Sequence, residues 1–448
     1  MGYIGGNPNN NPKADYRELL SKNITDELEN HEYRSRSKDG RKGVFTRDRT
    51  LTFNNIIVII LCFKSALQRD LDLFFKALSK SDFKIREATK GALTQARAKL
   101  KPYAFIRLNE VAVTTFYENV ETRRWHGMHV KAVDGTRLVL PNHPSIVKEF
   151  GLQKFGPKAD SERSLAMASL LYDVRNMVTV DGKIAPYKSS ERDLLIEHLD
   201  KLEKGDLLLL DRGYPCFWLL FLLKAKGIHF CVRMKEDWWL QVKDFTESQD
   251  KERLVTFKLP YKDRKKLAGY PHMIDAELIC RLVKVELPTG ETEVLCTSLI
   301  DAEEYPHHEF DGLYHLRWNE EEVYKLLKCR VELEAFSGKT ANAIKQDFFS
   351  KVFLLTLSAV YAHPVEEKVK QEYKAGGKRK HDQKINRTNA ISMTQDIIIA
   401  VLLRKQYALA LSAFDKIVYD TREIIRPGRN VPRKKKPKKP YSMNYKRL

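Results

Sequence analysis

The order of apolar patterns predicts an α/β fold built around a mixed sheet. Three observations carry that prediction. Between His129 and Tyr187, three β-rich segments follow one another with short polar breaks. Helix and strand patterns then alternate as far as Met234, the order expected when helices cross over between strands. Within that alternation lies Leu207-Leu208-Leu209-Leu210-Asp211, an almost wholly apolar run, as a central strand covered on both faces requires.

The elements follow in order. Residues 1–44 are polar and open rich in Asn, Pro and Gly, with one helix expected near Tyr16–Glu29. Residues 45–125 have helical spacing throughout. Asn54 or Asn55 is the expected cap of a helix through Ile56–Leu67, followed by helices over Asp70–Leu78, from Thr89 to Leu100 before Pro102, and over Tyr103–Tyr117. The character changes at residue 126. His129–Leu140 reads as β-structure with Asp134-Gly135 as a turn signal, and Leu165–Tyr172 and Met177–Tyr187 as two further strands. A helix over Glu191–Leu202, the apolar strand ending at Asp211, a helix over Phe217–Ala225 and a strand over His229–Met234 complete the first part of the core, residues 126–236. Residues 237–299 are strand-rich and broken by Pro260, Gly269, Pro271, Pro288 and Gly290, which reads as an inserted β subdomain. Residues 300–362 return to the core with a helix over Leu313–Leu333. Residues 363–425 are helical around a basic loop, and 426–448 form a basic tail.

At 448 residues the chain has room for two to four domains. It carries 79 Lys and Arg against 59 Asp and Glu, a net charge of +20, which points to a polyanionic partner. Ten basic residues and no acid fall between Arg426 and the end. That tail serves equally as a DNA-contacting arm or a solubilising extension. Six cysteines lie far apart without a Cys-x-x-Cys pair, which fits free thiols in a reducing compartment. No signal-peptide pattern opens the chain, and the longest apolar run, Ile56–Phe63, is too short to span a bilayer. A cytoplasmic protein without a membrane partner is the expectation.

Three acids carry the chemical reading. On the helix, Tyr314, Arg317, Glu321 and Lys328 fall within about 60° of one another at about 100° per residue. They make a stripe that presents a carboxylate flanked by two cations and a phenol. Alone, such a stripe is equally an ordinary solvated face. Asp134 and Asp211, however, end apolar strands, where an unpaired acid is costly. Each has a simpler role open to it, a hairpin turn for Asp134 and a helix cap for Asp211. Together with Glu321 they compose a hard-oxygen set suited to Mg²⁺ or Mn²⁺. Asp181 and Glu320, acids near these motifs but outside them, are expected to be dispensable.

Val133-Asp134-Gly135-Thr136, Asp211-Arg212-Gly213-Tyr214 and the Tyr-x-x-Arg-x-x-x-Glu-x-x-x-x-x-x-Lys spacing at 314–328, in that order, resemble the signatures of DDE transposases of the insertion-sequence-four family. The likeness extends over roughly residues 45–360. It implies a ribonuclease H-like catalytic core interrupted by a β insertion, for which the 109 residues between Asp211 and Glu321 leave room. It also implies Asp134, Asp211 and Glu321 as catalytic metal ligands, and Tyr314, Arg317 and Lys328 as DNA phosphate contacts, with Arg212 a further DNA contact. The implied partners are double-stranded DNA (transposon ends and target) and a second copy of the chain in a synaptic dimer. One position departs from the family: Glu293 stands where some members carry a base-stacking Trp. Trp238, Trp239, Tyr261 and Tyr270 are the alternatives for that role. Two other functions use the same features: a nuclease without strand transfer, and an inactive DNA-binding descendant.

Overall fold

The structure is a computed structural model that describes residues 15–41, 43–46, 50–64, 66–155, 161–287, 290–376 and 380–426. The Asn/Pro/Gly-rich start and the basic tail from residue 427 onward lie outside the described residues. The chain divides into two compact units, one combining residues up to Glu121 with those from Lys345 onward, the other spanning Thr122–Ile344.

In the first unit, several helices begin where a short polar side chain accepts an otherwise orphaned N–H, although the helices Leu67–Ser79 and Tyr103–Asn119 start without one. Asp15 accepts from Arg17 at the start of α1 (Tyr16–Glu29), and Asn30 from Tyr33 at α2 (His31–Arg36). Thr52, not Asn54 or Asn55, caps α3 (Phe53–Cys62), its hydroxyl accepting from the Asn55 N–H. The helix expected through Leu67 stops at Cys62, because Phe63 turns extended and the Asp70 carboxylate takes the Lys64 N–H at 2.8 Å. A new helix, α4 (Leu67–Ser79), follows. Thr89 caps α5 (Lys90–Arg97), and α6 (Tyr103–Asn119) completes the N-terminal set. Helices Ala341–Glu372, Arg387–Leu402 and Tyr407–Asp420 belong with them. Ala341–Glu372 is long and apolar enough to cross a membrane, yet 89% of its most apolar stretch is buried inside the protein, so it reads as a core helix.

The second unit is organised on a nine-stranded sheet. Strand β1 (Val130–Leu140) pairs antiparallel with β3 (Ser161–Asp173), which also carries β2 (Gln153–Phe155) and β4 (Val178–Pro186). On its other side β1 pairs parallel with β5 (Leu207–Leu210), and β5 with β6 (His229–Arg233). This is the mixed α/β core expected of a ribonuclease H-like domain. The inserted segment supplies β7 (Glu252–Lys258), β8 (Glu277–Glu286) and β9 (Thr292–Thr297). These strands do not form a separate sheet, because β9 pairs antiparallel with β6 and extends the central one. The helices of this unit are α7 (Pro144–Phe150), α8 (Glu191–His198), α9 (Phe217–Ala225), α10 (Leu240–Glu247), α11 (Phe310–His315) and α12 (Trp318–Lys325). All four residues of β5 are buried, as their unbroken apolar sequence requires. All six cysteines are free thiols.

The first unit contains a buried charge that its neighbours satisfy. Arg97, 3% exposed, donates to Gln346 Oε1 at 2.9 Å and to Asp347 Oδ1 at 3.0 Å. Replacing Arg97 with Met removes the buried guanidinium from Asp347 Oδ1 and Gln346 Oε1. We expect a loss of about 3–5 kcal/mol, read as a lowered urea midpoint.

Candidate functional site

Strand register, rather than a turn, positions the first two acids. Asp134-Gly135 is not a turn: both lie inside β1, opposite Leu170 and Ser169 of β3. The parallel pairing of β1 with β5 runs from Val130–Leu207 to Ala132–Leu209. Carried two positions further, the same register brings Asp134 level with Asp211, the residue after β5 ends. Both acids thus stand where the parallel ladder gives out, and both are partly exposed. Neither makes an ion pair among the described residues, and the Asp134 carboxylate accepts only the N–H of Gly135, at 2.8 Å.

The third acid arrives on a helical path that is not continuous. Instead of one helix over Leu313–Leu333, α11 ends at His315, the chain tightens to i→i+3 bonds around Leu316–Arg317, and α12 runs from Trp318 to Lys325. A widened π turn, Leu326–Arg330, follows. The predicted stripe therefore splits. Glu321 is one-third exposed, and the buried Arg317 guanidinium donates to its Oε1 at 3.2 Å. Tyr314 is buried, its hydroxyl donating to the Leu210 carbonyl at 3.3 Å, so it touches the end of β5 beside Asp211. Lys328 lies on the π turn and donates to the Arg137 carbonyl at 2.7 Å. Burial lowers its pKa. Arg212 is exposed.

Arg317 ties the set together. Burial works against its charge, but Tyr314, Asp211, Asp134 and Glu321 surround it and hold its pKa above the usual value. One guanidinium thus feels all three acids. Asp134 is pushed up to about 6, first by burial, with Glu191 and Asp211 adding to the rise and the Gly135 N–H and Arg317 opposing it. Among the described residues, no three His, Cys, Asp or Glu side chains stand close enough together to enclose a metal ion as placed. The donor chemistry nonetheless suits a hard cation, since the acids offer carboxylate oxygens alone.

Two features escaped the sequence reading. The first is Glu320, expected to be dispensable but wholly buried. Its Oε1 accepts the Asp134 N–H at 2.7 Å, and one turn along, Tyr324 donates to the Asp134 carbonyl at 2.6 Å. The same hydroxyl accepts from Leu170 N–H at 3.1 Å. Helix α12 is thereby bonded to the peptide of the acid it must face. Burial, then the Asp134 charge, raises the Glu320 pKa well above the usual range. Asp181, the other acid outside the motifs, is bound by buried His198 at 2.8 Å and by Lys183 at 3.0 Å. The second feature is the start of α8, where Glu191 lies between the glycines of the two Asp motifs. A single-face helical pattern could not reveal it.

The aromatic alternatives divide. Trp239 is buried and stacked on Phe217 at 4.0 Å, which makes it core. Trp238 is 44% exposed with Lys235 over its ring at 4.8 Å. Tyr261 is 86% exposed, and Tyr270 is half-buried. Glu293 is buried in β9 and paired with Arg233 at 2.9 Å.

Two outcomes follow for the metal-free protein. Glu320→Ala deletes the acceptor of the Asp134 N–H and should cost about 1–3 kcal/mol, whereas Glu320→Gln keeps an acceptor oxygen and should retain stability at neutral pH. A raised Asp134 favours the folded state below its unfolded value of about 3.9, and that contribution is lost as pH rises through about 6. Melting temperature in chelator should therefore fall between those pH values, and Asp134→Asn should flatten the fall.

Comparison with known proteins identifies the family. Residues 125–357, just over half the chain, match the family model described as the transposase DDE domain. The chain is 24% identical over 271 residues to the transposase InsG of insertion sequence element IS4 from Escherichia coli K12, an alignment covering 60% of each protein. It is also 24% identical over 140 residues to the putative transposase InsZ of the same organism, covering 31% of this chain and 46% of that one. The chain thus spans less than two-thirds of these relatives' lengths. Among solved structures it resembles the piggyBac transposase of a synaptic complex with hairpin DNA, with TM-score 0.45 and 10% identity, covering 90% of this chain and 83% of that one. With its family model matched across the whole acid-bearing unit, the chain belongs to the DDE transposases of the insertion-sequence-four type.

Proposed function

We propose that this transposase cuts DNA at the ends of its element and joins the freed ends to a target, with Asp134, Asp211 and Glu321 as the metal-binding catalytic acids. The observation that carries the reading is the register that brings Asp134 level with Asp211, with Arg317 electrostatically coupled to both and bonded to Glu321. Asp134 and Asp211 would hold Mg²⁺, or Mn²⁺ in its place, with Glu321 as the third carboxylate. A bound divalent cation would supply Lewis-acid polarisation of the scissile phosphate and an activated water.

The remaining work falls to the chain. Arg317 presents a fork suited to a phosphate, and its bond to Glu321 keeps that fork beside the acids. Lys328 adds a point charge, and exposed Arg212 a further contact on the segment after Asp211. Tyr314 acts through the backbone at Leu210, holding the end of β5 that carries Asp211. The N-terminal helices and the basic surface would bind the terminal inverted repeats. Phosphate contacts of this kind fix the DNA in register without reading its sequence. After hydrolysis of one strand at the element's end, the freed 3′-OH would attack target DNA in a dimer that bridges two ends.

Asp134→Ala, Asp211→Ala and Glu321→Ala should each lower end cleavage by more than about 100-fold, beyond what loss of an outer partner costs. End binding should persist in all three, because Lys and Arg supply most of the affinity. An oligonucleotide cleavage assay with a parallel gel shift decides. A folded Asp211→Ala protein that still cuts would overturn the assignment, and cleavage without joining by the wild type would favour a plain nuclease.

A further inference from the structure

The start of α8 brings another carboxylate to the two Asp motifs. Ser190 caps the helix by accepting from Asp193 N–H, which leaves Glu191 in the first turn. Next to it, Arg192 donates to the carbonyls of Gly213 and Tyr214 at 2.8 and 2.9 Å, tying this turn to the segment after Asp211. A β-carbon on Gly135 would lie 2.8 Å from Glu191 Cγ and 2.8 Å from its Oε1, and one on Gly213 would lie 3.6 Å from Oε2. The Glu191 side chain therefore fills the space left by the glycines that follow the two aspartates. Gly135 is extended, so room for Glu191, not an unusual backbone angle, is what a side chain there would disturb.

Glu191 is half-buried, and burial and the Asp211 charge raise its pKa against the opposing pull of Arg137 and Arg192. Asp211 raises the cost of charge on both Asp134 and Glu191, while Arg317 acts on the two aspartates and Arg137 and Arg192 act on Glu191 without forming an ion pair with it among the described residues. An independent observation points to a missing ligand. The Tyr214 hydroxyl is 1% exposed and bonds to no other group, although Asp134, Glu191, Glu320 and Asp211 all act on it electrostatically. A buried hydroxyl without a partner is costly, and it is satisfied once a water or ligand enters beside it.

We propose that Glu191 is a fourth carboxylate of this site, serving the divalent cation together with Asp134 and Asp211, and that Gly135 is small so that Glu191 can reach it. This rests on the acid-site reading above. Glu191 approaches from a helix different from the one that carries Glu321, so the cation would be gripped from α8 as well as from the two strand ends.

The test is Mn²⁺ binding by the full-length protein, followed by the electron-paramagnetic-resonance signal of free Mn²⁺, with melting curves as a folding control. Glu191→Gln should weaken binding by about 10-fold or more, the cost typical of a lost supporting partner. Gly135→Ala alters no acid but displaces Glu191, and should weaken binding in the same direction. Glu197→Gln, an exposed acid on the same helix, should bind as the wild type. Asp211→Asn separates the two readings. If it loses Mn²⁺ while Glu191→Gln binds at wild-type affinity, the Glu191 assignment falls and the acid site stands. Wild-type affinity in Asp211→Asn would sink the acid-site reading itself.

Discussion

The peptide of Asp134 is the point on which the acid-bearing unit depends. Its N–H is taken by Glu320 and its carbonyl by Tyr324, two side chains one turn apart on α12. Backbone groups in a buried ladder need partners, and here the partners come from the helix that bears Glu321. The same bonds that satisfy β1 therefore fix the helix against it. A helix whose dipping side chains bond a specific peptide cannot slide by a residue without leaving buried polar groups unsatisfied.

That constraint makes sense of an otherwise expensive arrangement. Burial raises the cost of negative charge on Asp134, Glu191 and Glu320, and Arg317 is coupled to Asp134, Asp211 and Glu321, with Arg137 and Arg192 acting on Glu191. The arrangement is held by strand register, the α12 clamp and the Arg192 tie to the loop after Asp211. Stability is spent here for position, which is the usual bargain at sites where charge must be placed before a reaction begins.

The inserted strands extend this logic. Because β9 pairs with β6, the insertion continues the central sheet, and buried Glu293 on β9 is electrostatically linked to Arg317 and Asp211. The segment between Asp211 and Glu321 is thus connected to the acid site through β6. On β9 this chain places a buried acid paired with Arg233, in place of the stacking ring that the resemblance implies.

Much of this was legible in the sequence. The unbroken Leu207–Leu210 run specifies a buried central strand, because nothing in it tolerates water, and the order of strands and helices specifies a mixed α/β core. The spacing of Asp134, Asp211 and the Tyr314–Lys328 motif specified the family. What the sequence could not reveal came from contacts between distant segments. Asp134-Gly135 has the composition of a turn, yet pairing with β3 and β5 keeps it extended, since a strand in the middle of a sheet gains more from its ladder than from bending. Glu320 has the composition of a surface acid, yet it caps a peptide 186 positions away. Glu191 shows no periodic or motif signal, because its partners are two glycines that matter only for the space they leave. Local pattern is a property of neighbours along the chain; which acid faces which peptide is decided by packing, and only the tertiary structure carries that.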